Sequence, residues 1–199
     1  MTRIGLTAGL AFLVSVAALG CSTANVLPPQ EVPVLESIGD GVVRYGGPDA
    51  WVVVDYRFAR LSTGAQWLVL DIGATAADGR RATIERSAVF VRSPSGRRYP
   101  LATQKEFRQA HVELANLSRR ADVAGSASYD FPGSRQPCRF DFFVTQSQRR
   151  QVAFDEAYVN DSRACFERFY FNVPDGVEAG RWVLGIDLEQ SEVRVPFDL

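Results

Sequence analysis

Short runs in which apolar and polar residues alternate recur about every ten residues along most of this chain, with turn residues between them. That period-two pattern constrains the fold more than any other feature, because alternation puts one set of side chains on a buried face and the other on an open one. "WVVVDYRFARL" sets Trp51 and Val53 against a mixed face, and "AQWLVLDIGAT" sets Trp67, Val69 and Asp71 against Leu68, Leu70 and Ile72. "SAVFVRSPSGRRYPLAT" reads as two short strands around a Ser93-Pro94-Ser95-Gly96 turn. "CRFDFFVTQ", "ACFERFYFNVP", "GRWVLGIDLEQ" and "EVRVPFDL" are four further strands, the second and third parted by Pro174-Asp175-Gly176. The expected fold is mainly β: an immunoglobulin-like antiparallel β-sandwich of about seven to nine strands.

One segment breaks the pattern. Thr103-Gln104-Lys105-Glu106 matches a capping box, and Phe107, Ala110, His111, Leu114 and Leu117 follow at helical spacing. This predicts one inserted amphipathic helix over residues 104–119, covering an edge or an end of the sandwich. The stretch 147–165 is charged and reads as a strand plus a loop.

The amino terminus has a different character. Arg3 is its only charge before an apolar or small run from Ile4 to Leu19. Such a run of about 16 residues falls short of the ~20 that span a bilayer, so it reads as an export signal. Its end, Ala18-Leu19-Gly20-Cys21, resembles the lipobox of bacterial lipoproteins, departing from it at Ala18, where leucine is usual. The resemblance covers only the first 21 residues. It implies cleavage before Cys21, a diacylglycerol on its thiol, and an acylated new amino group; cleavage after Ala24 is the alternative. Ser22 stands where an inner-membrane retention signal would place Asp, so the resemblance implies an outer-membrane address facing the periplasm. The division is then residues 1–20 as signal peptide, 21–33 as a lipidated, proline-containing tether, and 34–199 as the sandwich.

Lipid on Cys21 leaves Cys138 and Cys165. In an oxidising compartment an even pair bonds, and a closed loop of about 28 residues would contribute ~3.5 kcal/mol on the chain-entropy model. With one histidine in the chain, a Cys/His zinc site lacks ligands, and no metal or other cofactor is expected.

The formal net charge of -1 gives no footprint for nucleic acid, and the Arg-Arg pairs at 80–81, 97–98, 119–120 and 149–150 read as solvated turns. No Gly-x-Ser-x-Gly elbow is present, and His111 sits on the apolar stripe of the helix as a packed or boundary residue. Nothing in the spacing of Asp141, Asp155, Glu156 and Asp161 converges two carboxylates for acid–base work, and Asp155-Glu156…Asn160-Asp161 reads as a solvated loop rather than a calcium site. The glycines of "GDGVVRYGG" precede a strand and serve turns, not a dinucleotide. Trp51, Trp67 and Trp182 are the residues that could stack on sugars. The aromatics of "FDFF" and "FERFYF" read as core around the disulfide, with Phe143 and Tyr170 left over as an outward patch for a partner. The expected function is a non-enzymatic envelope lipoprotein, held to the membrane through Cys21 and engaging a protein partner; the alternative is a cell-wall or carbohydrate-binding module.

Overall fold

The computed structural model describes residues 27–124, 131, 136–145 and 151–199. The expected signal peptide, Cys21 and the Arg149-Arg150 pair lie outside them. The strands are β1 (Val34–Gly39), β2 (Val42–Gly46), β3 (Ala50–Asp55), β4 (Trp67–Ala76), β5 (Arg81–Glu85), β6 (Val89–Arg92), β7 (Arg98–Pro100), β8 (Gln136–Arg139), β9 (Glu156–Asn160), β10 (Arg163–Asn172), β11 (Arg181–Asp187) and β12 (Glu192–Asp198). They form an eight-stranded sheet, β1-β2-β3-β4-β10-β9-β5 with β8 also on β10, and a four-stranded sheet, β12-β11-β6-β7. Every pairing is antiparallel except β8 with β10.

The expected antiparallel β-sandwich is therefore the architecture. Leu68, Leu70 and Ile72 of β4 and Phe169 and Phe171 of β10 meet Trp182, Leu184 and Ile186 of β11 and Val193, Val195 and Phe197 of β12 in one core. Burying a Leu- or Phe-sized side chain contributes about 1.5–3 kcal/mol, so this layer dominates the stability. The chain crosses between sheets from β5 to β6 through a single 3-10 turn, Arg86–Ala88.

The central strands are covered on both faces. Val52 and Val54 of β3 join the inter-sheet core, while Trp51 and Val53 on the opposite face join a second cluster with Leu27, Val42, Ala77, Phe131 and Ala164. Gly73 of β4 sits opposite Phe166, whose ring lies so close that a Cβ on Gly73 would stand 2.7 Å from it.

The helix lies on the outer face over β10, beside Tyr170 and Arg168, not on an edge or an end as expected. The Thr103 hydroxyl accepts from the Glu106 N–H at 3.2 Å, and the Glu106 carboxylate accepts from the Thr103 N–H at 2.8 Å, completing the capping box. The helix runs as α1 (Gln104–Gln109) and, after a break at Ala110, as α2 (His111–Ala124). The buried face keeps a seven-residue spacing across the break. Phe107, Leu114 and Ala121 form the buried stripe, and His111 turns to solvent with its Nδ1 3.1 Å from the Arg108 carbonyl. The packed or boundary position expected for His111 is thus corrected.

Strand structure in the expected 138–146 run stops at Arg139. Asp141 takes a left-handed φ of 57°, and the following residues continue without ladder bonds. They still alternate: Phe140 and Phe142 pack on Phe169 in the inter-sheet core, and Phe143 turns to Phe107 and Tyr170 beneath the helix.

Candidate functional site

The chain enters the sandwich earlier than position 34. Leu27 is 4% exposed and fills the second cluster. The Trp51 indole N–H donates to the Pro28 carbonyl at 3.1 Å, the Gln30 N–H to Gly47 O at 3.0 Å, and the Asp78 N–H to Leu27 O at 2.8 Å. These bonds lay residues 27–30 against β2, β3 and the turn after β4. The tether expected over 21–33 is corrected accordingly: its carboxy-terminal part is docked, because Leu27 covers the Trp51–Phe131 patch.

Immediately beyond, β1 stands clear of the sandwich. All six of its residues are exposed. Val34 is 46% exposed and Leu35 48%, and successive strand residues point to opposite faces, so β1 carries apolar surface uncovered on both sides. Val32 and Ile38 extend the patch at 76% and 41%. Among the described residues β1 pairs only with β2, through a two-residue Asp40-Gly41 turn in which Gly41 has φ 77°. Glu36 pairs with Arg44 across the ribbon at 2.5 Å, and a register shift between Ser37 and Gly39 interrupts the ladder. An edge strand with an open backbone row and apolar side chains on both faces is chemistry for contact with another chain.

A second feature is a buried polar cluster under the irregular segment after β8. Buried backbone needs partners, and here side chains supply them. Glu167 accepts from the Phe142 N–H at 2.9 Å, and the Arg86 guanidinium donates to the carbonyls of Phe142 at 2.8 Å and Phe154 at 2.6 Å. Gln104 clamps Val144, accepting its N–H at 3.1 Å and donating to its carbonyl at 2.8 Å. Burial pushes Glu167 up to about 7, outweighing the Phe142 N–H and the Arg139 charge that pull it down. Burial also lowers Arg86 from its ordinary value, with Asp155 and Glu167 pulling back. The bonds of this cluster go to backbone, which makes it a brace for the segment.

The residues singled out from sequence fall as follows. Cys138 and Cys165 form a disulfide with Cα atoms 4.3 Å apart, joining register partners of β8 and β10. Trp51 is 9% exposed, Trp67 3% and Trp182 0%, and the Trp182 N–H is spent on the Glu178 carbonyl at 2.9 Å. Their rings pack the core and present no face to a sugar, a correction whose cause is the covering of both sheet faces. Phe143 and Tyr170 are corrected likewise: the helix covers them, and the Tyr170 hydroxyl bonds the Ser118 hydroxyl at 2.7 Å. The acidic loop is dispersed, with Asp155 3.3 Å from Arg86, Glu156 accepting from Tyr158 at 2.6 Å, and Asp161 accepting from the Gly79 N–H at 3.1 Å. No group of three side chains suited to a metal occurs among the described residues. Arg97 and Arg98 are engaged by Asp175, Glu178 and Asp187.

The β1 residues Val34, Leu35 and Ile38 escaped sequence reasoning. The signal was there: Asp40-Gly41 between two apolar runs is a hairpin turn. Comparison with family models, with curated proteins and with solved structures finds no match. No helix among the described residues is long and apolar enough to cross a membrane.

Proposed function

We propose that this protein is a lipid-anchored envelope protein without catalytic activity, facing the periplasm from the outer membrane, and that it holds another protein through β1. The observation that carries the reading is the exposure of β1 on both faces. The lipobox-like end of the apolar run supplies the anchor. Six residue steps separate Cys21 from the docked Leu27, which at full extension is about 20 Å. An acylated Cys21 therefore keeps β1 close to the membrane, and its partner is a protein at that surface. The sugar-binding alternative rested on three tryptophans whose rings are buried.

Two measurements in intact cells test this. A photoreactive residue at Leu35 is expected to trap a discrete protein adduct, whereas one at Val123, which is 89% exposed on α2, traps none. Equal labelling from both positions sinks the β1 assignment. Cys21→Ser is expected to leave the chain uncleaved or released; a variant of normal mature size that still partitions with membranes would sink the anchor.

A further inference from the structure

The opposite edge of the large sheet is β5, and its sequence is Arg81-Ala82-Thr83-Ile84-Glu85. Its backbone orientation follows from its neighbours. The Arg86 N–H donates to Asp155 O at 2.7 Å, so the pair next to Glu85↔Glu156 is of the hydrogen-bonded type. Antiparallel pairs alternate, so Ile84↔Ala157 and Ala82↔Val159 also exchange bonds, and Arg81, Thr83 and Glu85 turn their N–H and C=O groups to the open side. The β9 partners agree. The Asn160 carbonyl, opposite Arg81, points away from β5 to the Thr75 hydroxyl at 3.0 Å, and the Tyr158 carbonyl, opposite Thr83, faces Cys165 Sγ at 4.0 Å.

Among the described residues no backbone group meets Arg81, Thr83 or Glu85 from that side. Residues 81–83 of β5 line a cleft of about 700 Å³ together with residues 158–160 of β9 and 188–190. Arg81 and Glu85 are exposed on the face away from the core, and Arg81 has no ion-pair partner among the described residues. Ala82 and Ile84 point the other way, and Ile84 is fully buried.

We infer that β5 pairs antiparallel with β5 of a second copy, about a two-fold axis at Thr83. This register sets Arg81 opposite the copy's Glu85, Thr83 opposite its own counterpart, and Glu85 opposite the copy's Arg81. All three pairs bring outward-facing backbone groups together, allowing about six N–H···O bonds. A one-residue slip would match outward groups with inward ones and break the ladder. Charges usually guard an edge against pairing, but that needs like charges to meet. Here opposite signs meet at symmetric positions, so the charges favour the self-pair and fix its register. The interface is isologous and closed, leaving β1 free.

Disulfide trapping in cells producing the full chain tests this. Partners in a hydrogen-bonded pair have Cα atoms about 5.5 Å apart, within disulfide reach. Thr83→Cys is expected to give a covalent dimer on oxidation. Tyr158→Cys is the control: its position is 62% exposed, yet three strand spacings, about 14 Å, from its counterpart. Expected is at least tenfold more covalent dimer from Thr83→Cys than from Tyr158→Cys or the parent chain. Adding Arg81→Glu to Thr83→Cys is expected to cut the yield tenfold or more, and adding Glu85→Arg as well to restore it. Peptide mapping of Cys138 to Cys165 in each variant confirms an intact fold. Equal trapping at both positions, a yield indifferent to Arg81→Glu, no recovery in the charge swap, or a crosslink to a different protein overturns the inference.

Discussion

Glu167 and Arg168 are neighbours on β10 that point to opposite faces, and they have been treated differently by the fold. Arg168 grips Asp71 on β4 through Nε at 2.7 Å and Nη2 at 2.9 Å, and its Nη1 reaches the Ser118 carbonyl at 2.8 Å and Asp122 at 3.0 Å. Burial works against its charge, yet the Asp71 bonds win and hold the guanidinium above its ordinary value. Glu167 is buried more deeply, with 4% of its side chain exposed, but only Oε2 is served. Oε1 has no donor: Arg139 stands 3.7 Å away, close enough to attract but beyond hydrogen-bond length. The nearby Arg86 is committed to two carbonyls. The difference shows that burial opposes charge in both groups, but does not alone decide how far each value moves. The number of matched partners decides the rest.

The largest effect is expected from breaking the satisfied side. Asp71→Ala leaves a mostly buried guanidinium with only the exposed Asp122 as carboxylate and should cost about 3 kcal/mol of unfolding free energy, the low end for breaking a buried pair. Denaturant titration at neutral pH measures it. Adding Arg168→Met removes the stranded charge and should recover part of the loss. A cost under 1 kcal/mol for Asp71→Ala would mean that the pair is solvated and that the contrast with Glu167 is false.

The unsatisfied side is exposed by pH. The folded value of Glu167, about 7, lies above its ordinary 4.5, so the folded chain holds the proton more tightly than the unfolded chain does. Its contribution is full below pH 4.5 and is lost as pH rises through 4.5 to 7, a fall on the order of 3 kcal/mol. Glu167→Gln keeps an acceptor for the Phe142 N–H without a charge, so it should flatten this window and exceed the parent in stability at pH 8. A parent whose stability rises with pH across this range would refute the assignment.

The two sides were unequally legible in the sequence. Alternation marked β4 and β10 as strands, because a sheet buried on a regular ladder follows its side-chain period, but the pairing that sets Asp71 opposite Arg168 came only with the fold. The surroundings of Glu167 were not legible. "CRFDFFVTQ" alternates like a strand, but its backbone is held by Glu167, Arg86 and Gln104 from three distant elements, a tertiary arrangement that no local pattern encodes. The capping box gave the start of the helix but not which surface it covers, so Phe143 and Tyr170 read as outward. The candidate site was hidden for the opposite reason. β1 has apolar residues at both parities, which reads as neither helix nor half-buried strand, and its exposure depends on what is missing around it. β5 is five residues long with charged ends, too short and polar to register as a strand.

The smallest effect asks whether the two sides share the helix. α2 supplies Ser118 and Asp122 to Arg168, and α1 supplies Gln104 to the segment that Glu167 braces. Thr103→Ala removes the hydroxyl that accepts the Glu106 N–H and should cost about 1 kcal/mol, the usual loss for a helix cap. Because Glu167 itself bonds Phe142 and not the helix, that loss should be the same at pH 5 and pH 8, shifting the stability curve down without changing its slope. A loss confined to one end of the pH range would show instead that the Gln104 clamp on Val144 sets how tightly Phe142 presents its N–H to Glu167. The carboxyl proton and the helix would then be one coupled unit rather than two separate responses to burial.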